Sequence, residues 1–230
     1  IAILLNCYIL FFIHIIYSKF QILYFKYNKF SIIMYRTIIG ARNKVIGFFY
    51  KNILKRVFFQ IDPETVHDHM IKMGHFLGTN IVTQKLTAGL FSFSDKKLAQ
   101  DILGIHFANP IGLSAGFDKD AELTDILPSI GFGFVEIGSI TGEPCEGNPK
   151  PRLWRLPESK SLVVYYGLKN LGCEAVAQKL KGKRFKIPIG ISIAKTNCQA
   201  TADMEIGAKD YVKAYKTMAD IGSYVTVNIS

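Results

Sequence analysis

The first 60 residues of this 230-residue chain contain no aspartate or glutamate, and the first acidic side chain is Asp62. Nine of the 28 lysines and arginines fall in those 60 residues, whereas the rest of the chain carries 19 basic and 18 acidic side chains. Most of the formal charge of +10 is therefore confined to the N-terminal part. A nucleic-acid groove would place its charge on the folded body, so this distribution argues against a nucleic-acid partner and favours a membrane surface.

Cysteines are few and form no C-x-x-C pair, which argues against a zinc site and a disulfide framework and fits a reducing compartment. They are Cys7, Cys145, Cys173 and Cys198. Three histidines lie close together in the chain, but histidines two positions apart point to different faces of a helix. We therefore expect surface or core histidines and no metal. They are His67, His69 and His75.

Residues 1–33 allow two interpretations. Residues 1–17 are almost entirely apolar and just long enough to cross a hydrocarbon core of ~30 Å. Because basic residues follow this stretch and none precedes it, a membrane anchor would leave the body on the cytoplasmic side. Alternatively, Met34 is the true start, and residues 1–33 are a leader foreign to the protein.

Residues 34–85 are predicted to be a helical region. Its first part, residues 34–60, mixes lysine and arginine with apolar side chains. This pattern suits a helix lying in a lipid interface, where each base contributes ~1 kcal/mol against anionic lipid. The alternative is a helix that packs on its own protein body. A second helix is predicted to begin at Asp62-Pro63-Glu64, which combines an N-cap, a proline at the first position and an acid, and to end at Gly78.

Four short apolar runs follow, at residues 110–115, 134–139, 187–193 and 224–230, and helical patterns separate them, most clearly at 204–218. Continuous apolar strands that alternate with helices predict a buried parallel sheet and an α/β fold. Each run ends in small or amide residues. In a (β/α)8 TIM barrel all strand ends converge on one site, whereas in an open sheet they do not, so we favour the barrel.

A complete barrel needs roughly 250 residues, and only about four βα units fit between residue 108 and the last residue. We therefore expect residues 86–230 to form the N-terminal portion of a barrel whose fourth strand is the last element of this chain.

Five segments, in order, resemble the class 2, quinone-linked, membrane-associated dihydroorotate dehydrogenases. The resemblance runs from about Tyr50 to the last residue. The segments are FQIDPETVH at 59–67, NPIGLSAGFDK at 109–119, GFGFVEIGS at 131–139, GNPKPRL at 147–153 and VNIS at 227–230.

The resemblance implies an FMN-binding barrel preceded by helices that dock on the membrane and admit quinone. In this family a base removes a proton from dihydroorotate while a hydride passes to the flavin, and a quinone then reoxidises the flavin, as a step of pyrimidine (UMP) biosynthesis. The protein is accordingly expected on the cytoplasmic side of the cell membrane, or on the inner mitochondrial membrane in a eukaryote. The expected partners are dihydroorotate or orotate, quinone and the lipid surface.

The same resemblance assigns site residues by motif position. The family's catalytic base would fall at position 231, one past the last residue, so no catalytic residue is assigned. The FMN-binding residues would be Ala115, Gly116, Lys119, Ser139, Ser192 and Asn228. The substrate-binding residues would be Lys119, Gly167 and Asn228.

Four positions depart from the family pattern. Val164 replaces an asparagine that hydrogen-bonds the pyrimidine, and Leu168 replaces a phenylalanine. Ser192 occupies the position of an FMN-contacting asparagine in the family, and Ser139 occupies that of a threonine. The loss of one buried hydrogen bond costs roughly 1–3 kcal/mol. The alternative function is therefore a membrane-tethered flavin-binding barrel that is catalytically dead or acts on a related substrate.

Overall fold

The computed structural model describes residues 29–229, and their side chains from residue 37 onward. Most of the possible anchor or leader, residues 1–28, lies outside this description. The chain divides into two compact units. Of the described residues, the first unit, here called the helical unit, comprises residues 29–69 and Lys150–Val164, and the second, the sheet unit, comprises Met70–Pro149 and residues 165–229.

In the described residues helices come first, up to Phe91, and strands and helices follow in mixed order, with two short 3-10 turns at Lys96–Leu98 and Ala200–Ala202. The helices are α1 (Lys29–Phe49), α2 (Lys55–Gln60), α3 (Pro63–Thr79), α4 (Ile81–Phe91), α5 (Leu127–Ile130), α6 (Cys173–Leu180) and α7 (Met204–Met218), with a π-helical turn at Tyr50–Leu54. The strands are β1 (Gln100–Ile102), β2 (Ile105–Phe107), β3 (Gly112–Leu113), β4 (Phe134–Ile140), β5 (Leu153–Leu156), β6 (Ser161–Val164), β7 (Ile189–Ile193) and β8 (Tyr224–Val227).

The sheet unit is built on a four-stranded parallel sheet in the order β3-β4-β7-β8. All five residues of β7 are buried, and α7 packs against β7 and α6. A strand that is covered on both faces is mostly apolar and shows no alternation, as in β7 and most of β4, whereas the edge strand β8 is only half-buried. The predicted parallel α/β arrangement is confirmed, with each predicted strand in place.

The junction of α2 and α3 follows the predicted helix start. Asp62 Oδ1 accepts a hydrogen bond from the backbone N–H of Thr65 at 2.9 Å, and α3 begins at Pro63. The predicted end at Gly78 is wrong, because α3 continues to Thr79. A Cβ at residue 78 would lie 3.2 Å from the Cβ of Asp125, so this glycine provides close packing and is not a C-cap.

The helical unit holds an element that the search for apolar runs did not predict, the antiparallel hairpin of β5 and β6. Arg155, on β5, donates a hydrogen bond from Nη1 to the carbonyl oxygen of Ile61 at 2.7 Å. Its guanidinium also lies 5.1 Å from the ring centroid of Phe59. Among the described residues, no helix has the length and apolar character that a membrane crossing requires.

Candidate functional site

Three polar side chains meet at the carboxyl ends of β4, β7 and β8. The amide nitrogen of Asn228 donates to Ser139 Oγ at 2.9 Å, and Ser139 Oγ shares a hydrogen bond with Ser192 Oγ at 2.8 Å. Both serines are buried, and Asn228 is half-buried. The strands are parallel and neighbouring, so their ends lie at one edge of the sheet. The structure thus joins three of the predicted site residues in one hydrogen-bonded chain.

The loop after β3 is hydrogen-bonded to the same edge of the sheet. The N–H of Gly116 donates to the carbonyl of Gly138 at 2.7 Å, and the N–H of Gly138 donates to the carbonyl of Asp118 at 3.1 Å. Gly116 has a φ of +99°, and no atom lies within 4 Å of the place where its Cβ would stand. Ala115 beside it is half-buried. Open space therefore borders the backbone of this loop, next to Ser139.

Asp118 anchors this loop from within. Its carboxylate is fully buried and accepts hydrogen bonds from the backbone N–H groups of Glu122 at 2.8 Å and Leu123 at 2.9 Å. Burial raises the pKa of Asp118 to about 6, although those two hydrogen bonds act in the opposite direction. Through these two hydrogen bonds, the Asp118 side chain stabilises the turn that follows Lys119.

Lys119 and Gly167 belong to a second group of residues. The Lys119 ammonium lies 3.7 Å from the ring centroid of Tyr166, and Gly167 follows in the left-handed region at φ +68°. Asn148 binds this segment through its N–H to the carbonyl of Tyr166 at 3.0 Å and through Nδ2 to that of Tyr165 at 3.1 Å. A Cβ at residue 167 would lie 2.6 Å from Asn148 Cγ, so the segment needs glycine there.

The loops that carry these groups depend on a residue that sequence reasoning missed, Asp210 on α7. Its buried carboxylate accepts from the N–H of Thr196 at 2.7 Å, the hydroxyl of Thr196 at 2.8 Å and the N–H of Gly142 at 3.3 Å. One carboxylate thus ties together the loops that follow β4 and β7. The sequence offers no signal for this role, because a carboxylate within a helix is usually solvated.

Asn170, which was assigned no role in the sequence analysis, braces the segment that carries Gly167 and Leu168. Its Nδ2 donates to the hydroxyl of Thr141 at 2.8 Å and to the carbonyl of Leu168 at 2.7 Å. Leu168 has a φ of +60°, which is unusual for a residue other than glycine. The family departure at Leu168 therefore sits at a conformationally demanding position. The departure at Val164 sits at the last residue of β6, with its side chain 56% exposed.

The three histidines have separate surroundings. His69 Nδ1 lies 2.7 Å from the carbonyl oxygen of Thr65, His75 Nδ1 lies 3.2 Å from that of Glu122, and His67 is buried. Within the part of the chain that the structure describes, no three histidine, cysteine, aspartate or glutamate side chains are grouped so as to hold a metal ion.

Solved structures share this fold. The chain is 28% identical to an Eimeria tenella protein described as DHODH in complex with ferulenol, with a TM-score of 0.57 over 73% of this chain and 43% of that chain. A ligand-free DHODH from the same organism gives a TM-score of 0.57 at 29% identity over 73% of this chain and 45% of that chain. Together with the four parallel strands, these structures support a partial TIM-barrel-type fold.

Curated relatives of this chain are named as dihydroorotate dehydrogenases as well. A protein from a Synechococcus species, named dihydroorotate dehydrogenase (quinone), is 38% identical over 187 residues, 79% of this chain and 48% of the relative. One of the same name from Natronomonas pharaonis is 39% identical over 180 residues, 77% of this chain and 50% of the relative. The chain thus spans about half the length of these relatives. Residues 97–230 match the family model described as dihydroorotate dehydrogenase, so the chain belongs to the dihydroorotate dehydrogenase family.

Proposed function

We propose that this protein oxidises dihydroorotate to orotate, with FMN as the first electron acceptor and a quinone as the second, in pyrimidine biosynthesis. The observation that carries the proposal is the convergence of Ser139, Ser192 and Asn228 with the Gly116 loop at the ends of neighbouring parallel strands. Relatives named dihydroorotate dehydrogenase (quinone) support the same chemistry, at 38–39% identity.

The residues at this edge fit a flavin. The backbone at Gly116 borders open space, and a flat ring approaches a backbone most closely where no Cβ intervenes. The hydroxyl and amide groups of Ser139, Ser192 and Asn228 can donate or accept, as the alternating nitrogen and carbonyl edge of a flavin ring requires. When bound, FMN would supply the capacity to take up a hydride from the substrate.

The remaining predicted residues would hold the substrate. Orotate and dihydroorotate each carry a carboxylate, and Lys119 supplies a positive charge beside the same loop. Asn228 offers a carboxamide at the end of β8, and Gly167 lets the chain turn without a side chain. In this proposal Lys119, Gly167 and Asn228 bind and orient the substrate, and Ala115 lies against the cofactor.

The test uses the full-length protein loaded with FMN. We expect dihydroorotate to bleach the flavin under anaerobic conditions and an added quinone to reoxidise it. Lys119→Ala should abolish the reduction while leaving the protein folded, because the anionic substrate loses its cation. Lys209→Ala is the matched control, since Lys209 is an exposed lysine on α7 whose ammonium pairs with Glu205. A flavin that stays oxidised, or a Lys119→Ala variant with unchanged single-turnover reduction, would contradict the proposal.

One observation favours a second candidate, a flavin-binding barrel that is catalytically dead or acts on a related substrate. Val164 occupies the position of a pyrimidine-binding asparagine and cannot replace its hydrogen bonds. Comparing the full-length wild type with its Val164→Asn variant distinguishes the two candidates. If the wild type oxidises dihydroorotate, the first candidate is correct. If only the Val164→Asn variant oxidises dihydroorotate, the second candidate is correct.

We further propose that the protein is membrane-associated, with its catalytic body on the cytoplasmic side of the cell membrane, or on the inner mitochondrial membrane in a eukaryote. In the helical unit, the exposed bases Lys44, Lys51 and Arg56 are interleaved with exposed apolar side chains, an arrangement that suits anionic lipid. Because quinone dissolves in the bilayer, residues 34–85 would then give it access to the protein. The apolar side chains are Ile38, Val45, Phe48, Phe49, Ile53, Leu54, Val57 and Ile61.

Vesicle binding of the full-length protein tests this association. Lys51→Gln should weaken binding to vesicles of phosphatidylcholine with phosphatidylserine about fivefold, since each base near an anionic surface contributes ~1 kcal/mol. Phe48→Ser should weaken binding to these vesicles and to pure phosphatidylcholine alike. Lys209→Gln, in the sheet unit, is the control. Equal binding by all four proteins would contradict the proposed surface.

A further inference from the structure

The Lys119 ammonium is held by an aromatic face. It lies 3.7 Å from the ring centroid of Tyr166, well inside the ~6 Å over which a cation is attracted to an aromatic ring. Both side chains are half-buried, so water screens the attraction only in part. Lys119 is one of the predicted site residues, whereas neither the motifs nor the composition assign any role to the ring of Tyr166.

The backbone that carries the Tyr166 ring is held by hydrogen bonds and close packing. The carbonyl of Tyr166 accepts from the N–H of Asn148 at 3.0 Å, and Gly167 has no space for a side chain against Asn148. In addition, Asn197 Nδ2 donates to the carbonyl of Gly167 at 3.3 Å. Two neighbouring loops, those that follow β4 and β7, thus fix the backbone that carries the ring.

We propose that Tyr166 is a positioning residue that pre-organises the Lys119 ammonium for an anionic substrate. Lysine has a flexible four-carbon side chain, and ordering such a side chain upon binding costs affinity. An aromatic face attracts the ammonium through the ring quadrupole and leaves its charge in place. This inference rests on the proposed function for the identity of the anion.

The kinetic test compares Tyr166→Leu with Tyr166→Phe in the full-length, FMN-loaded protein. Loss of the aromatic face should raise the KM for dihydroorotate roughly tenfold with little change in kcat, because the cost of ordering Lys119 is then met at binding. Tyr166→Phe keeps the face and should behave like the wild type. Tyr215→Leu, an exposed tyrosine on α7, is the matched control. Equal damage from Leu and Phe, or a loss of kcat alone, would overturn the proposal.

A double-mutant comparison isolates the pair. In a Lys119→Ala background, Tyr166→Leu should have no further effect on the dissociation constant of orotate, because the group that the ring positions is gone. An undiminished effect in that background would show that the ring acts independently of Lys119, which would overturn the assigned role.

A second readout requires no turnover. Reductive 13C-methylation of the lysines labels Lys119, whose signal is identified by its loss in Lys119→Arg. We expect the ring current to shift this signal in wild type and Tyr166→Phe, and the shift to vanish in Tyr166→Leu. An unshifted signal in wild type would overturn the proposal even if the enzyme is active. If dihydroorotate does not reduce the flavin but the shift is present, the proposed function fails and the geometry stands.

Discussion

The inner strands of the sheet unit and helix α1 of the helical unit use the same apolar residue types in opposite ways. In the sheet unit Val135, Ile189 and Ile191 have no exposed surface, because β4 and β7 are the two inner strands of the sheet. In the helical unit Phe48 is 62% exposed and Phe49 is 52% exposed. Apolar content alone therefore does not reveal a core. An apolar surface that carries bases and lacks acids indicates an interface with another phase or molecule.

Buried charges differ between the units as well. In the helical unit Glu64 binds Arg152 through two hydrogen bonds, at 2.8 and 3.1 Å, and lies 3.3 Å from the Lys150 ammonium. Burial raises the pKa of Glu64, but the hydrogen bonds from Arg152 and Lys150 outweigh it and lower the pKa to about 2. In the sheet unit burial raises the pKa of Asp118 to about 6, because it outweighs the hydrogen bonds from the backbone N–H groups of Leu123 and Glu122 and the attraction of Lys179.

Breaking the ion pair of the helical unit should have the largest effect. Arg152→Met leaves Glu64 buried without its bidentate partner, which costs about 3–5 kcal/mol in the free energy of unfolding. Urea unfolding of the full-length protein measures this loss, and the double variant Glu64→Leu/Arg152→Met should recover most of it. Lys209→Met, which breaks an exposed pair on α7, is the control and should change nothing measurable. A single variant as stable as this control would contradict the structural role of the pair.

The contrast in apolar side chains is tested by one substitution in each unit. Ile191→Ala removes fully buried atoms and should cost about 2–5 kcal/mol in urea unfolding. Phe48→Ala truncates a larger side chain but an exposed one, so it should leave the free energy of unfolding nearly unchanged while it weakens vesicle binding. Similar losses of stability for both variants would show that Phe48 belongs to a core.

The two buried carboxylates predict opposite dependences on pH. Because the pKa of Asp118 rises from 3.8 to about 6 upon folding, its contribution to stability is present below pH 3.8 and is lost as the pH rises to about 6. Relative to Asp118→Asn, the wild type should lose up to about 3 kcal/mol across this window. Because the pKa of Glu64 falls from 4.5 to about 2, its contribution is present above pH 4.5 and is lost as the pH falls through about 2.

Urea unfolding at a series of pH values checks both signs, with Glu64→Gln as the reference for Glu64. The free energy of unfolding of the wild type minus that of Asp118→Asn should fall as the pH rises, whereas that of the wild type minus that of Glu64→Gln should rise. Curves that stay parallel for either pair would mean that the carboxylate concerned does not titrate differently in the folded state.

The loss of a helix N-cap should have the smallest effect on stability, and this effect should be similar in both units. Asp62 caps α3 by accepting from the N–H of Thr65 at 2.9 Å, and Asp203 caps α7 by accepting from the N–H of Ile206 at 3.0 Å. Alanine at either position should cost about 1 kcal/mol in thermal or urea unfolding, because the cap is a local interaction that does not depend on the surrounding fold. A large difference between the two variants would show that one cap carries a tertiary role.

Much of the architecture could be predicted from local pattern. The four parallel strands, the helix start at Asp62 and the helix over residues 204–218 all follow from apolar runs and capping residues. The β5–β6 hairpin was not predicted in this way, since its strands are only four residues long and partly exposed, and Arg155 interrupts β5. The end of α3 was also mispredicted. Gly78 packs against Asp125, a residue distant in the chain, and such a contact cannot be seen in the local pattern that suggested a helix end.

Within the candidate site, the motifs identified Ser139, Ser192, Asn228 and Lys119, and they assigned no role to Asp210, Asn170 or the ring of Tyr166. The first group lies at strand ends or in conspicuous loops, where side-chain type and position in the chain are informative. The second group acts through partners that are distant along the chain, such as the 14-residue separation of Thr196 and Asp210. Such pairings depend on how loops meet in space.

The sequence by itself determined where the strands and helices form, that the N-terminal third is basic and apolar, and which side chains stand at the strand ends. Periodicity, capping and charge are local properties, so they can be seen in the order of the residues. Only the tertiary structure decided that Ser192, Ser139 and Asn228 form one hydrogen-bonded chain, that Glu64 is neutralised by Arg152, and that Lys119 rests on Tyr166. These contacts join residues up to 89 positions apart, and their energy depends on distances that only packing sets.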